Sequence, residues 1–155
     1  MEGVAKSVKI VLLVGLLALL LGGAVGCADR SEAESKVDWL YSMDEALSEA
    51  QSDNKPVMID FYGDWCPPCK EMDRNTYSDD ELGAFVNDNF VPLKVDVNKS
   101  NLHSTYGIEK IPQVVFLSPQ GSEIDKGLRI LGYWPPDAFH QELQAVLDAW
   151  SPPNP

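Results

Sequence analysis

Cys66 and Cys69 are separated by two prolines in the run Trp65-Cys66-Pro67-Pro68-Cys69-Lys70. Two thiols at that spacing can close a small disulfide ring and open it again, which is redox chemistry rather than scaffolding. The chain has 3 cysteines. The third, Cys27, ends an apolar N-terminal stretch, so none remains for a stabilising framework. The pair follows an apolar run, Val57 to Tyr62, that reads as a buried strand, and it opens what reads as a helix. Cys66 then occupies the N-cap. A thiolate there meets the positive end of the helix dipole, which lowers its pKa from the free value of ~8.5 toward neutrality. Cys69 lies about one turn inside the helix, within reach of Cys66 but more shielded from partners. Cys66 is therefore expected to attack and Cys69 to resolve the mixed disulfide. Pro67 and Pro68 carry no N–H, so the first turn has fewer donors for a Cys66 thiolate. No histidine lies between the cysteines. Both features weaken thiolate stabilisation and favour a reductant over a strong oxidant.

A single Cys-x-x-Cys is also half of a zinc site. The remaining ligands would have to come from His103 and His140, which lack a paired spacing, so no metal site is expected. The metal alternative is a copper-carrying set of Cys66, Cys69 and His103. The ordinary reading of His103 is a solvent-facing helix residue.

The elements that position the pair follow from pattern. Lys6 and Lys9 precede an apolar stretch, Ile10 to Leu21, and then small residues up to Cys27. Residues 1–27 thus have the layout of an export signal. Small residues running into one cysteine resemble a bacterial lipobox, in which that cysteine carries the lipid. An uncleaved helix is the competing reading, because Val8 to Gly26 approaches the ~20 residues that span a bilayer. Either way the remainder is expected outside the cytoplasmic membrane, where disulfides persist. Residues 28–36 are polar and read as a tether, and residues 151–155 as a mobile tail.

The whole chain of 155 residues carries a formal charge of −12. Residues 1–26 hold two Lys and one Glu, so the rest carries −13. That acidity argues against nucleic-acid binding. One domain is expected over residues 37–150.

Within it, Val37 to Tyr41 reads as a first strand. Ser42 with Glu45, and Ser78 with Glu81, form capping boxes ahead of helices. Phe90 to Val97 and Gln113 to Leu117 read as strands, with a short helix over Leu102 to Tyr106 between them. Ser118-Pro119-Gln120-Gly121 is a turn, Ser122 to Leu131 an antiparallel return, and Pro136 opens the last helix. The order β-α-β-α-α-β-α-β-β-α gives an α/β fold, a central mixed sheet with helices on both faces.

Val57 to Lys70 resembles the active-site segment of thioredoxin-fold proteins. Tyr106-Gly107-Ile108-Glu109-Lys110-Ile111-Pro112 resembles their second signature, which ends in a cis-proline. With Lys70-Glu71-Met72 and Phe90 to Asp96, the chain is most similar to the thioredoxin-like domain of DsbD-type thiol–disulfide interchange proteins, over about residues 37–150. These 155 residues hold no counterpart of the bundle of membrane helices those proteins carry, so the chain is not itself expected to carry electrons across the membrane.

The resemblance implies roles. Asp60 is the buried carboxylate that accepts the proton of Cys69. Lys94 matches the lysine near it and would hold it partly ionised, the alternative being an ordinary exposed edge lysine. Pro112 is the cis-proline facing the cysteines, and Trp65 shields the disulfide. Pro67 and Gln113 depart from common members and bear on partner identity and reduction potential. No cofactor is implied beyond the Cys66–Cys69 disulfide.

The expected function is an exported, membrane-tethered thiol–disulfide oxidoreductase. It is expected to reduce disulfides of exported proteins, apocytochromes among the candidates, and to draw electrons from a membrane donor of the DsbD type. The alternatives are an oxidase or isomerase on the same residues, a copper-binding chaperone, and a partner-holding module without turnover.

Overall fold

The computed structural model describes residues 34–150. The signal, the lipid-bearing reading of Cys27 and the tail lie outside the described residues. No helix among those described is long and apolar enough to cross a membrane.

Four strands form one sheet in the order β2-β1-β3-β4, with β1 over Val57–Tyr62, β2 over Val91–Asp96, β3 over Gln113–Leu117 and β4 over Ile130–Leu131. β1 runs parallel to β2, whereas β3 is antiparallel to both β1 and β4. The sheet is mixed, as expected. Among the described residues five helices flank it: α1 Met43–Asp53, α2 Pro67–Glu71, α3 Asp80–Asn89, α4 Leu102–Thr105 and α5 Pro136–Ala149.

β1 is buried on both faces, as its apolar residues on either side of Asp60 require. Val57, Ile59 and Phe61 pack with Ala46 and Ala50 of α1 and with Leu93 and Val115. Met58 points the other way, into a cluster with Met72, Tyr77, Leu82, Val86, Phe139 and Leu143. Alternation along the strand puts Asp60 on this second face. Helices therefore cover both faces, and the only charged residue of β1 is aimed into apolar packing.

Three expectations need correction. The first strand reduces to one parallel bridge, Leu40 to Leu93, because the backbone of Leu40 pairs only with Pro92 O and Lys94 N. Helix α3 is capped by Asp79, whose side chain accepts from Leu82 N, and Ser78 instead donates to Arg74 O. A carboxylate at the N-cap also meets the helix dipole, which a hydroxyl does not exploit. The antiparallel return shrinks to an isolated bridge at Glu123 and the two residues of β4, with a 3₁₀ turn at Lys126–Leu128 between them. Asp125 caps that turn through Gly127 N, a local bond that competes with strand pairing.

Helix α2 does not simply continue. Met72–Thr76 forms a π turn, a widening often found at functional sites. Thr76 Oγ1 donates to Trp134 O at 2.5 Å, and Met72 Sδ accepts from Trp134 N at 3.3 Å. These bonds fix the turn against the loop ahead of α5.

Candidate functional site

Cys66 is the N-cap of α2, with Pro67 and Pro68 opening the helix. The two cysteines are joined in a disulfide with their Cα atoms 5.3 Å apart. Cys69 N donates to Cys66 Sγ at 3.2 Å. Since neither proline has an N–H, this is the donor the first turn offers that sulfur. The expected difference in exposure between the cysteines is absent in the oxidised form: Cys66 is 2% and Cys69 3% exposed. What separates them is their surroundings. Cys66 Sγ lies 3.7 Å from Ile111 O, on the loop that precedes Pro112.

The Ile111–Pro112 peptide is cis. Gly132 N donates to Pro112 O at 2.9 Å, so β3, β4 and this loop are tied together beside the disulfide. Among the described residues, Trp65 ahead of α2, Leu131 of β4 and Tyr133 just after it are large apolar side chains exposed around this site. Trp65 is 66% exposed. Its indole rests over Gly63 beside Ile111, so closely that a Cβ at Gly63 would meet both at 3.1 Å. Trp65, Val97, His103, Ile108 and Ile111 line an open groove of about 590 Å³ beside the disulfide.

Asp60 is 2% exposed. Burial pushes its carboxyl up to about 7, against the attraction of Lys94, with Asp73 adding to the rise and Tyr77 opposing it. Lys94 is its register partner across the parallel pair β1 and β2. The side chain of Lys94 is 10% exposed, so it is not an exposed edge lysine. Its ammonium pairs with Asp73 of the π turn. It also sits 5.3, 5.0 and 5.5 Å from the ring centroids of Trp39, Tyr62 and Tyr77. Such an aromatic cage stabilises a cation while excluding water. The arrangement is a buried acid with a nearby cation whose charge is shared with a second carboxylate.

Asp73 and Tyr77 escaped the sequence reading. Their signal was helical spacing: Asp73 is four residues after Cys69 and Tyr77 four after Asp73, the separation that aligns side chains on one helix face. His103 lies in the groove but bonds locally, its Nδ1 2.7 Å from Ser100 O. Among the described residues no group of three His, Cys, Asp or Glu side chains converges as a metal ion would require.

The family model described as a thioredoxin-like domain matches residues 43–147. The chain belongs to the thioredoxin-like family. It is 37% identical over 100 residues to the thiol:disulfide interchange protein DsbD of Yersinia pestis (strain Pestoides F), a match covering 61% of this chain and 16% of that protein. The chain thus spans a small part of that relative's length. A solution structure of a thioredoxin from Thermus thermophilus superposes with a TM-score of 0.63 at 30% identity, covering 72% of this chain and 88% of that one. The oxidised C-terminal domain of DsbD from Neisseria meningitidis gives a TM-score of 0.55 at 27% identity, covering 66% and 90%. The fold, the family and the Cys66–Cys69 disulfide together make this a thioredoxin-like thiol–disulfide oxidoreductase. In such a fold the redox-active disulfide is itself the reacting group.

Proposed function

We propose that the protein reduces disulfides of exported proteins. One observation carries the reading: the sulfur of Cys66 meets the backbone of Ile111 at the cis-Pro112 loop, where two surface loops expose apolar side chains beside it. A partner chain lying in that groove would present its disulfide to Cys66.

The chemistry then proceeds in two exchanges. The Cys66 thiolate attacks one partner sulfur; the partner's S–S bond breaks and a mixed disulfide forms. Cys69 loses its proton to Asp60 and attacks Cys66 Sγ. The partner leaves as a dithiol, and the Cys66–Cys69 disulfide is restored with two electrons transferred. Asp60, with a pKa near 7, is half ionised at neutral pH and suits a proton acceptor. A membrane donor of the DsbD type would re-reduce the pair. Attachment to the membrane through Cys27, by lipid or by the preceding helix, completes the proposal. It rests on the sequence of residues 6–27 and is tested by the mass of the native N-terminus.

The reductive direction is supported by the two prolines, which leave the Cys66 thiolate poorly stabilised. The test is the reduction potential of the pair, by equilibrium with a dithiol buffer, together with insulin reduction. A potential near about −270 mV, with activity lost in Cys66→Ser, is expected. A potential near about −120 mV would make the protein an oxidant and reverse the proposal. Tight copper retention by the reduced protein, abolished by His103→Ala, would favour the chaperone reading instead.

A further inference from the structure

Two buried oxygens lack partners on the same face of β1. Among the described residues, neither Asp60 Oδ1 nor Tyr77 Oη has a hydrogen-bond partner of acceptable geometry. Unsatisfied buried polar atoms are uncommon, and each asks for a reason. Tyr77 is fully buried, and its ring packs edge-on against Trp39 and Phe139 with centroids 4.9 and 5.9 Å away. Its backbone is held as well, since Lys36 N donates to Tyr77 O at 2.7 Å. The ring has little freedom, so the position of the hydroxyl is set by packing. Lys94, the register partner of Asp60, lies against the same ring.

We propose that the Tyr77 hydroxyl is a positioning residue for Asp60: its O–H donates to the ionised carboxylate and keeps that form accessible near neutral pH. This rests on the reading of Asp60 as the proton acceptor for Cys69.

The phenol O–H can turn toward the carboxylate, and each group already acts on the other's ionisation as a hydrogen-bonding neighbour. Ionisation of Asp60 supplies the drive, because a charged acceptor strengthens the bond. The charged groups acting on Asp60 are Lys94 from β2 and Asp73 from the π turn, and these already bond each other. Tyr77 is therefore the neutral donor left for the carboxylate. Its influence on Asp60 is that of a hydrogen-bonding neighbour, opposing the upward push of burial. The phenol itself is held well above its ordinary range, chiefly by burial and then by the charge of Asp60. It therefore remains a donor throughout the working range.

The test is a carbon-13 titration of the full chain in its oxidised form, in mild detergent. In the wild type, the Tyr77 ring carbon bearing the hydroxyl should shift with the same midpoint as the Asp60 carboxyl, near pH 7. In Tyr77→Phe, which keeps the ring, the Asp60 midpoint should rise by about one unit. Insulin reduction at pH 7 should then fall about fivefold and recover by pH 9, because the ionised fraction drops from a half to about a tenth. A flat Tyr77 signal in the wild type, or an Asp60 midpoint that stays put or falls in Tyr77→Phe, overturns the proposal. A shifted midpoint with an unchanged rate profile supports the hydrogen bond and overturns Asp60 as the acceptor. The wild-type titration stands even if the variant folds poorly.

Discussion

Lys94 stands directly across the parallel strand pair from Asp60, yet its ammonium pairs with Asp73. Two charges therefore act on Asp60 with opposite signs, and they also restrain each other. Asp73→Asn removes a negative charge and frees Lys94, and both changes favour ionised Asp60. Lys94→Met removes the cation, which favours the neutral acid. The midpoint of the pH–rate profile for insulin reduction should fall by about one unit in the first variant and rise by about one unit in the second. Shifts in the same direction would contradict this division of charge.

Burial of Asp60 also has a stability consequence. Its native pKa of about 7 lies above the ordinary aspartate value of 3.8, so the native state holds its proton more tightly. The native state binds more protons between those values, and stability falls as pH rises through them. The neutral acid is compatible with folding below about pH 4. Ionisation above pH 7 costs on the order of 4 kcal/mol. Asp60→Asn should therefore stabilise the oxidised protein against guanidinium at pH 8 and lose that advantage near pH 4. An equal effect at both pH values would mean that Asp60 is not raised.

Much of this site was legible because the relevant signals are local. Cys66, Pro67, Pro68 and Cys69 announce a capped helix by type and spacing alone, and β1 announces burial by the apolar residues that surround Asp60 on both faces. The pairing of Lys94 with Asp73 was not legible, because the π turn that carries Asp73 depends on bonds from Met72 and Thr76 to Trp134, some sixty residues away. Tyr77 was missed for the same reason. Its hydroxyl matters only once the turn brings it under β1. Ser122 to Leu131 misled because its composition suits a strand, while Asp125 and Arg129 make local and cross-loop bonds that the pattern does not reveal.

The prolines of α2 have a measurable effect on redox poise. Cys66 Sγ accepts from Cys69 N alone among first-turn donors. Pro68→Ala restores an N–H at the second helical position, where N-cap side chains usually find a donor. An added bond to the charged thiolate is worth about 1 kcal/mol, or about 20 mV for a two-electron couple. The potential should become less negative by that amount, with a lower Cys66 pKa in the reduced protein. A shift to more negative potential would mean that helix donors do not set the poise of this pair.

Arg129 fixes the irregular return of the chain to the loop that leads to Pro112. Its Nε and Nη2 donate to Glu123 Oε1 and Oε2 at 2.6 and 2.9 Å, and Nη2 also donates to Tyr106 O at 2.8 Å. Both side chains are largely buried, at 15% and 13% exposed. Arg129→Met leaves the Glu123 carboxylate without its cation and should cost about 3 kcal/mol in urea unfolding. Arg129→Lys should recover little, because a point charge cannot make the two-pronged contact and reach Tyr106 as well. The double variant Glu123→Gln with Arg129→Met should recover most of the loss, since no buried charge is then left unpaired. A single variant as mild as the double would show that water screens this pair and that it contributes little to holding the loop.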